Sequence, residues 1–235
     1  FQNWRGHVDS LPSFRAKMDL NREFWGREDY LESEVQEKLL QIARDFMESS
    51  DVSNVPIKDI TFTGSLANYN YSKRSDVDLH IVIDFDDVDE NSKLVKEFFD
   101  AKRSLWNQNH KIIINGHEVE IYVQDVKEPH VSTGVYSVLD EQWLTKPNRE
   151  ETDIDYDNIK KKSQCLMNDI DDIENIEEFD VGVLEKKLNK INRLKEKIRK
   201  FRKIGLETDG EYSIENLSFK VLRMNGYLKK LSDLK

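Results

Sequence analysis

Between Ile60 and Ile83 the chain holds two short β-rich runs joined by a polar connection, and the second run opens on a pair of acids. The first, Ile60-Thr61-Phe62-Thr63, is ended by Gly64-Ser65. The second begins at Asp76-Val77-Asp78 and alternates with period two. Val77, Leu79, Ile81 and Ile83 point one way; Asp76, Asp78 and His80 point the other. Two carboxylates thus share one face of a strand near its start. Like charges that close repel strongly in a low-dielectric cleft. The usual counter-charge is a hard divalent ion held by oxygen.

A third acid is available on a later run. In His117-Glu-Val-Glu-Ile-Tyr-Val-Gln124, Val119, Ile121 and Val123 form an apolar face and Glu118, Glu120, Tyr122 and Gln124 the other. If this strand lies beside the Asp76/Asp78 strand, three carboxylates converge. Such a set suits two divalent ions about 3.5–4 Å apart, which can clamp the attacking and leaving oxygens of an in-line displacement. Glu118 points the same way as Glu120 and is the alternative third ligand.

The combination of Gly64-Ser65, Asp76-Val77-Asp78 and an isolated acid on a later strand resembles the nucleotidyltransferase superfamily of DNA polymerase beta. Three stretches are more narrowly similar to predicted nucleotidyltransferases encoded by bacteriophages: Gly64-Ser-Leu-Ala-Asn-Tyr69, Ser75-Asp-Val-Asp-Leu-His80 and Gln124-Asp-Val-Lys-Glu-Pro-His130. The superfamily resemblance spans residues 59–124 and the narrower one residues 24–147. It implies that Asp76, Asp78 and Glu120 hold two Mg²⁺ ions, with Mn²⁺ as the alternative metal. It also implies that Gly64 and Ser65 cradle the phosphates of a nucleoside triphosphate such as ATP, with Tyr69, Lys73, Arg74 and Ser75 nearby. Turn N–H groups at a helix start favour phosphate, which agrees. For Tyr69 and Tyr71, stacking on a base and packing in the protein are both open. Lys73 and Arg74 either reach a triphosphate or lie in solvent.

The 235 residues fit one ordinary domain with an appendage, or two small ones. No apolar run approaches the ~20 residues of a membrane span, and the start, Phe1-Gln-Asn-Trp-Arg5, lacks the shape of a signal peptide. A single cysteine, Cys165, excludes an internal disulfide framework. It falls in a helical pattern, where a core position is expected. A cytoplasmic protein is the expectation, in the host cytoplasm if phage-encoded. The histidines are scattered, without zinc spacing.

Around the acidic runs, the expected order is strand, short helix, strand, helix, hairpin. Phe24 and Trp25 are expected to dock on the body, and Phe1, Trp4 and Phe14 to fill grooves. The recurrence of Leu31, Val35, Leu39, Ile42 and Phe46 predicts a helix over residues 27–49. A first strand is expected over 58–63 and a second helix over 91–107. Asn115-Gly116 between β-rich runs is a hairpin signal, so the Glu120 strand should pair antiparallel with Lys111–Ile114. Val135–Leu139 reads as a further strand. His130, Ser132 and Thr133 either line the nucleotide cleft or cap the hairpin end.

From Asp153 the pattern is purely helical. One stripe is Ile159, Ser163, Leu166, Ile170 and Ile173; a second is Leu184, Leu188, Ile191, Leu194, Ile198 and Phe201. The third runs from Ile214 to Leu231 with heptad spacing, and Gly205 and Asp209-Gly210 are expected to separate the last two helices. The fold class expected is therefore α+β: a small mixed-sheet nucleotidyltransferase core with flanking helices over residues 1–152, then an antiparallel helical bundle over 153–235. The second helix carries a basic run from Lys186 to Lys203 in a chain of net charge -10. Such a run is usually a solvated face paired with acidic neighbours, here Asp169–Asp180. The other reading is a track for RNA or another nucleic acid.

The expected activity is transfer of a nucleoside monophosphate from an NTP to an acceptor, with release of pyrophosphate. Cyclic-oligonucleotide synthesis, modification of RNA or protein, and an inactive nucleotide-binding module are the alternatives.

Overall fold

The computed structural model describes residues 14–52, 54–130, 132–149, 153–177 and 181–234. The expectations for Phe1 and Trp4 fall outside the described residues. The fold is α+β, with two compact units, Ala16–Glu150 and Phe1–Arg15 with Glu151–Lys235.

The first unit holds α1 (Ser33–Ser49), β1 (Ile57–Thr63), β2 (Val77–Ile83), α2 (Ser92–Asn109), β3 (Ile113–Ile114), β4 (His117–Asp125), β5 (Val135–Ser137) and β6 (Gln142–Thr145). The six strands form one mixed sheet in the order β3-β4-β2-β1-β5-β6. Only β2 and β4 are parallel, because α2 carries the chain across between them. The β3–β4 turn places Asn115 and Gly116 at φ 49° and 81°, as a tight hairpin requires. The hairpin is shorter than expected: Ile113 and Ile114 pair with Glu118 and His117, and the Ile112 carbonyl accepts the Val119 N–H at 2.9 Å.

One face of the sheet is apolar and buried. Ile60, Phe62, Leu79, Ile81, Ile121 and Val123 pack there with Phe24, Trp25 and the α1 residues Leu39 and Phe46. Trp25 stacks on Phe62 at 5.4 Å and on Trp143 at 4.6 Å, and its indole N–H donates to the Leu66 carbonyl at 2.8 Å. Tyr69 and Tyr71 also pack against this core. The first helix begins at Ser33, not Arg27. Leu31 instead bridges to Trp25 across a tight turn in which Asp29 has φ 60°. Leu31 fits the spacing of the stripe but lies outside the helix, because its backbone bridges to Trp25.

The second unit contains α3 (Tyr156–Glu174), α4 (Val181–Thr208), α5 (Ile214–Met224) and α6 (Tyr227–Asp233). Asp155 caps α3 and Ser213 caps α5, each accepting a backbone N–H three residues on. Ile159, Ile170, Ile191, Ile198, Leu217 and Leu222 are at its centre, with Phe14. Four expectations are corrected. The third apolar stripe is two helices, because Gly226 at φ 76° caps α5 and turns the chain. Leu184 and Leu188 are 42% and 48% exposed, so the core stripe of α4 starts only at Lys187 and Ile191. Cys165 is exposed rather than in the core. Gly205 does not end α4; it lies buried inside it.

The reason is close approach. A Cβ on Gly205 would stand 2.4 Å from Glu215 Cβ and 2.7 Å from Ser213 Oγ, where the start of α5 crosses α4. Replacing a mid-helix glycine by alanine ordinarily stabilises by roughly 0.5–1 kcal/mol. Here the sign should invert: Gly205→Ala is expected to destabilise the protein by about 1–3 kcal/mol through overpacking. Urea unfolding of the two proteins measures this, and a stabilised variant would show that the two helices separate freely.

Candidate active site

The parallel pairing of β2 and β4 sets the geometry. Its register puts Asp78 opposite Glu120, and the antiparallel pairing of β1 with β2 puts Thr63 opposite Asp78. Thr63, Asp78 and Glu120 therefore form a row across three adjacent strands, on the face opposite the apolar core. Adjacent strands are about 4.8 Å apart, so the two carboxyl-bearing residues are direct neighbours. The row lies where β2 and β4 begin and β1 ends. Asp76 precedes β2 by one residue and is half-buried; Glu120 and Glu118 are both exposed. Continued one step beyond Val77–Val119, the register would bring Glu118 beside Asp76.

The turn after β1 is pressed against this row. Gly64 has φ 78° and ψ -162°, which only glycine adopts without strain. A Cβ there would lie 1.8 Å from Asp78 Oδ2. The glycine is thus required twice over, by its backbone angles and by the carboxylate that fills its side-chain space. A short 3₁₀ turn, Ser65–Ala67, follows it. The Ser65 hydroxyl donates to Ser75 Oγ at 2.7 Å, tying this turn to the residue before Asp76. Ser75 Oγ also accepts the Ser72 N–H, and the Ser75 carbonyl is held by the buried His117 ring at 2.5 Å. The connection from Gly64 to Asp76 is closed on itself by hydroxyls and one imidazole.

A second loop completes the turn. Ser132 Oγ accepts the Gly64 N–H at 3.3 Å, and Asn68 donates to Thr133 Oγ1 at 2.6 Å. Gly134 is packed so closely that a Cβ would be 2.0 Å from the Ala67 carbonyl oxygen. Ser132 and Thr133 thus stand at the Gly64–Asn68 turn, and His130 stands farther along, 3.5 Å from Gln124. Lys73 and Arg74 are exposed.

Deeper along the same face the polar layer continues. His80 Nδ1 bonds Gln124 Oε1 at 2.8 Å, and Gln124 donates to the Glu128 carbonyl at 2.9 Å. Tyr122 donates its hydroxyl proton to Glu128 and accepts from Lys96 of α2 at 2.5 Å. Sequence reasoning placed His80, Tyr122 and Gln124 on this face but gave them no role. Lys96, Glu128 and His117 were missed, since their contacts depend on which strands become neighbours.

Burial pushes the His80 imidazole below its ordinary 6.5, more than the Gln124 hydrogen bond raises it. The folded ring is therefore neutral where the unfolded ring begins to take a proton. As pH falls below 6.5, the unfolded state binds more protons and stability drops, by up to about 1.4 kcal/mol per pH unit. Denaturant unfolding at pH 7.5 and 5.5 should show this loss, and His80→Gln should reduce it. An equal loss in the variant would assign it to other groups.

The donor set fits a hard divalent cation in kind: carboxylates on neighbouring strands beside a polar turn. Asp78 and Glu120 are brought together. Among the described residues, however, no group of three or more His, Cys, Asp or Glu side chains is gathered closely enough to hold a metal ion.

Comparison with known proteins adds little. No protein-family model matches the chain, and no curated protein matches its sequence. A solved structure of a STING-associated CdnE c-di-GMP synthase from Capnocytophaga granulosa aligns over 99% of each chain at 14% identity, with a TM-score of 0.21. At that score the likeness carries no argument about this chain. No described helix is long and apolar enough to cross a membrane.

Proposed function

We propose that this chain is a metal-dependent nucleotidyltransferase that moves a nucleoside monophosphate from an NTP to an acceptor and releases pyrophosphate. The observation that carries this reading is the Thr63–Asp78–Glu120 row at the mouth of the Gly64–Ser65 turn. Asp78 and Glu120, neighbours in the register, with Asp76, are the residues that would hold Mg²⁺ or Mn²⁺, and the three carboxylates would have to draw closer around the ion than they stand. The metal would neutralise phosphate charge and orient the oxygens of an in-line displacement.

The chain's own groups do the positioning. Gly64 and Ser65 form a turn held against Asp78 by Ser75 and by the Ser132 loop. A turn held in this way would meet a phosphate without reorganising during reaction. His117 fixes the carbonyl of Ser75 and with it the approach of Asp76 to the row. Glu120 is exposed, so its carboxylate can accept the acceptor's proton.

The test is pyrophosphate release from each of the four NTPs, with RNA and protein acceptors and with none. Chelation should abolish release, and Mg²⁺ or Mn²⁺ should restore it. Mass spectrometry of the products then separates an oligonucleotide from a modified acceptor. Tight, metal-dependent NTP binding without turnover in any mixture would replace the enzyme with a nucleotide-binding module.

A further inference from the structure

The helix α4 is charged unlike the rest of the chain. It carries ten Lys and Arg against three Glu, a net charge of +7. The other residues then sum to -17, since the whole is -10. The cations are not spread evenly around the helix. Lys186, Lys190, Arg193, Lys197 and Lys200 recur at four and three, which places them on one stripe. All five are exposed. At 1.5 Å per residue the stripe is about 21 Å long, with a cation roughly every 5 Å.

Among the described residues, salt bridging accounts for only part of the stripe. Lys197 pairs with Asp169 of α3 at 3.4 Å. Lys190, Arg193 and Lys197 form one wall of a groove of about 320 Å³ with Asp169 and Asp172 opposite. Lys187, which is off the stripe, is spent on structure: it is buried and donates to the Ile176 carbonyl. Holding five like charges in a row costs free energy in the isolated protein. A regularly spaced polyanion would offset that cost.

We propose that α4 is a contact surface for the phosphodiester backbone of single-stranded nucleic acid. The regular spacing suits a polymer with one charge per repeat, and the Arg193 fork suits phosphate. A thin strand also fits better than an anionic bilayer. A flat surface against this helix would meet the acids of α3 within a Debye length of about 8–10 Å, whereas a strand can follow the stripe. This proposal does not depend on the nucleotidyltransferase reading.

Fluorescence anisotropy of the full chain with labelled 20-nucleotide single-stranded RNA and DNA tests it. Neutralising four or five phosphates gives a log–log salt slope of about -3, so affinity should fall roughly 50- to 100-fold between 50 and 200 mM salt. The variant Lys186→Gln, Lys190→Gln, Arg193→Gln, Lys200→Gln keeps the Lys197–Asp169 pair and should lose nearly all of that slope. Its circular dichroism should be unchanged. No binding of wild type at 50 mM salt would overturn the proposal. So would equal binding by a correctly folded variant, or equal or tighter binding of polyglutamate or of anionic vesicles. If the variant misfolds, the wild-type salt slope and the competition by polyglutamate and vesicles decide alone.

Discussion

Asp78→Asn is expected to lower metal-dependent pyrophosphate release by on the order of 10³-fold or more, with Glu120→Gln close behind. Both changes are nearly isosteric and remove only negative charge. Both sit in the row where β1, β2 and β4 meet, beside Gly64, which has no side chain of its own. Catalysis by charge stabilisation loses most when the charge is lost, even though the shape is kept. Glu118→Gln provides the internal comparison, because Glu118 shares the face of Glu120 but lies two register positions from the Asp78–Glu120 pair, before the first paired residues of β2 and β4. It should stay within about threefold of wild type, a ΔΔG‡ of roughly 0.6 kcal/mol. Steady-state release at saturating metal checks all three, with thermal unfolding as the folding control. Full activity in Glu120→Gln with loss in Glu118→Gln would move the third carboxylate.

Trp25→Ala should cost about 3–5 kcal/mol of stability, the range for removing a buried aromatic side chain. The indole is fully buried and touches Phe62, Tyr136 and Trp143, with centroids 5.4, 5.1 and 4.6 Å away. Its N–H also satisfies the Leu66 carbonyl inside the turn that follows Gly64. Trp25→Phe keeps much of the packing but leaves that carbonyl unpaired, at about 1–3 kcal/mol. The intermediate variant separates the two contributions in a denaturant titration. If both variants lose the same amount, the hydrogen bond to Leu66, not the packing, sets the value of Trp25.

Much of the site-bearing sheet could be read from the chain. Period-two alternation put Asp76, Asp78 and His80 on one face and Val77, Leu79 and Ile81 on the other, and the structure buries all three apolar residues. Asn115-Gly116 announced the hairpin ahead of β4. These signals are local, set by backbone angles and by which side chains avoid water. Gly205 misled for the same reason. A glycine at a helix end and a glycine at a helix crossing look alike until the crossing partner, here Glu215, is known. Leu184 and Leu188 misled because a helix's apolar stripe does not say where its neighbours stop.

By itself the sequence determined the faces: which residues of each strand look toward water, where the hairpin turn before β4 falls, and that a helical region follows the sheet. Only the tertiary structure decided that β2 and β4 run side by side in parallel with Asp78 level with Glu120, and that Asp78 fills the space beside Gly64. Alternation repeats every two residues and is blind to a shift of two. Register is fixed by long-range pairing across α2 and by the close fit at Gly64, which no local pattern encodes.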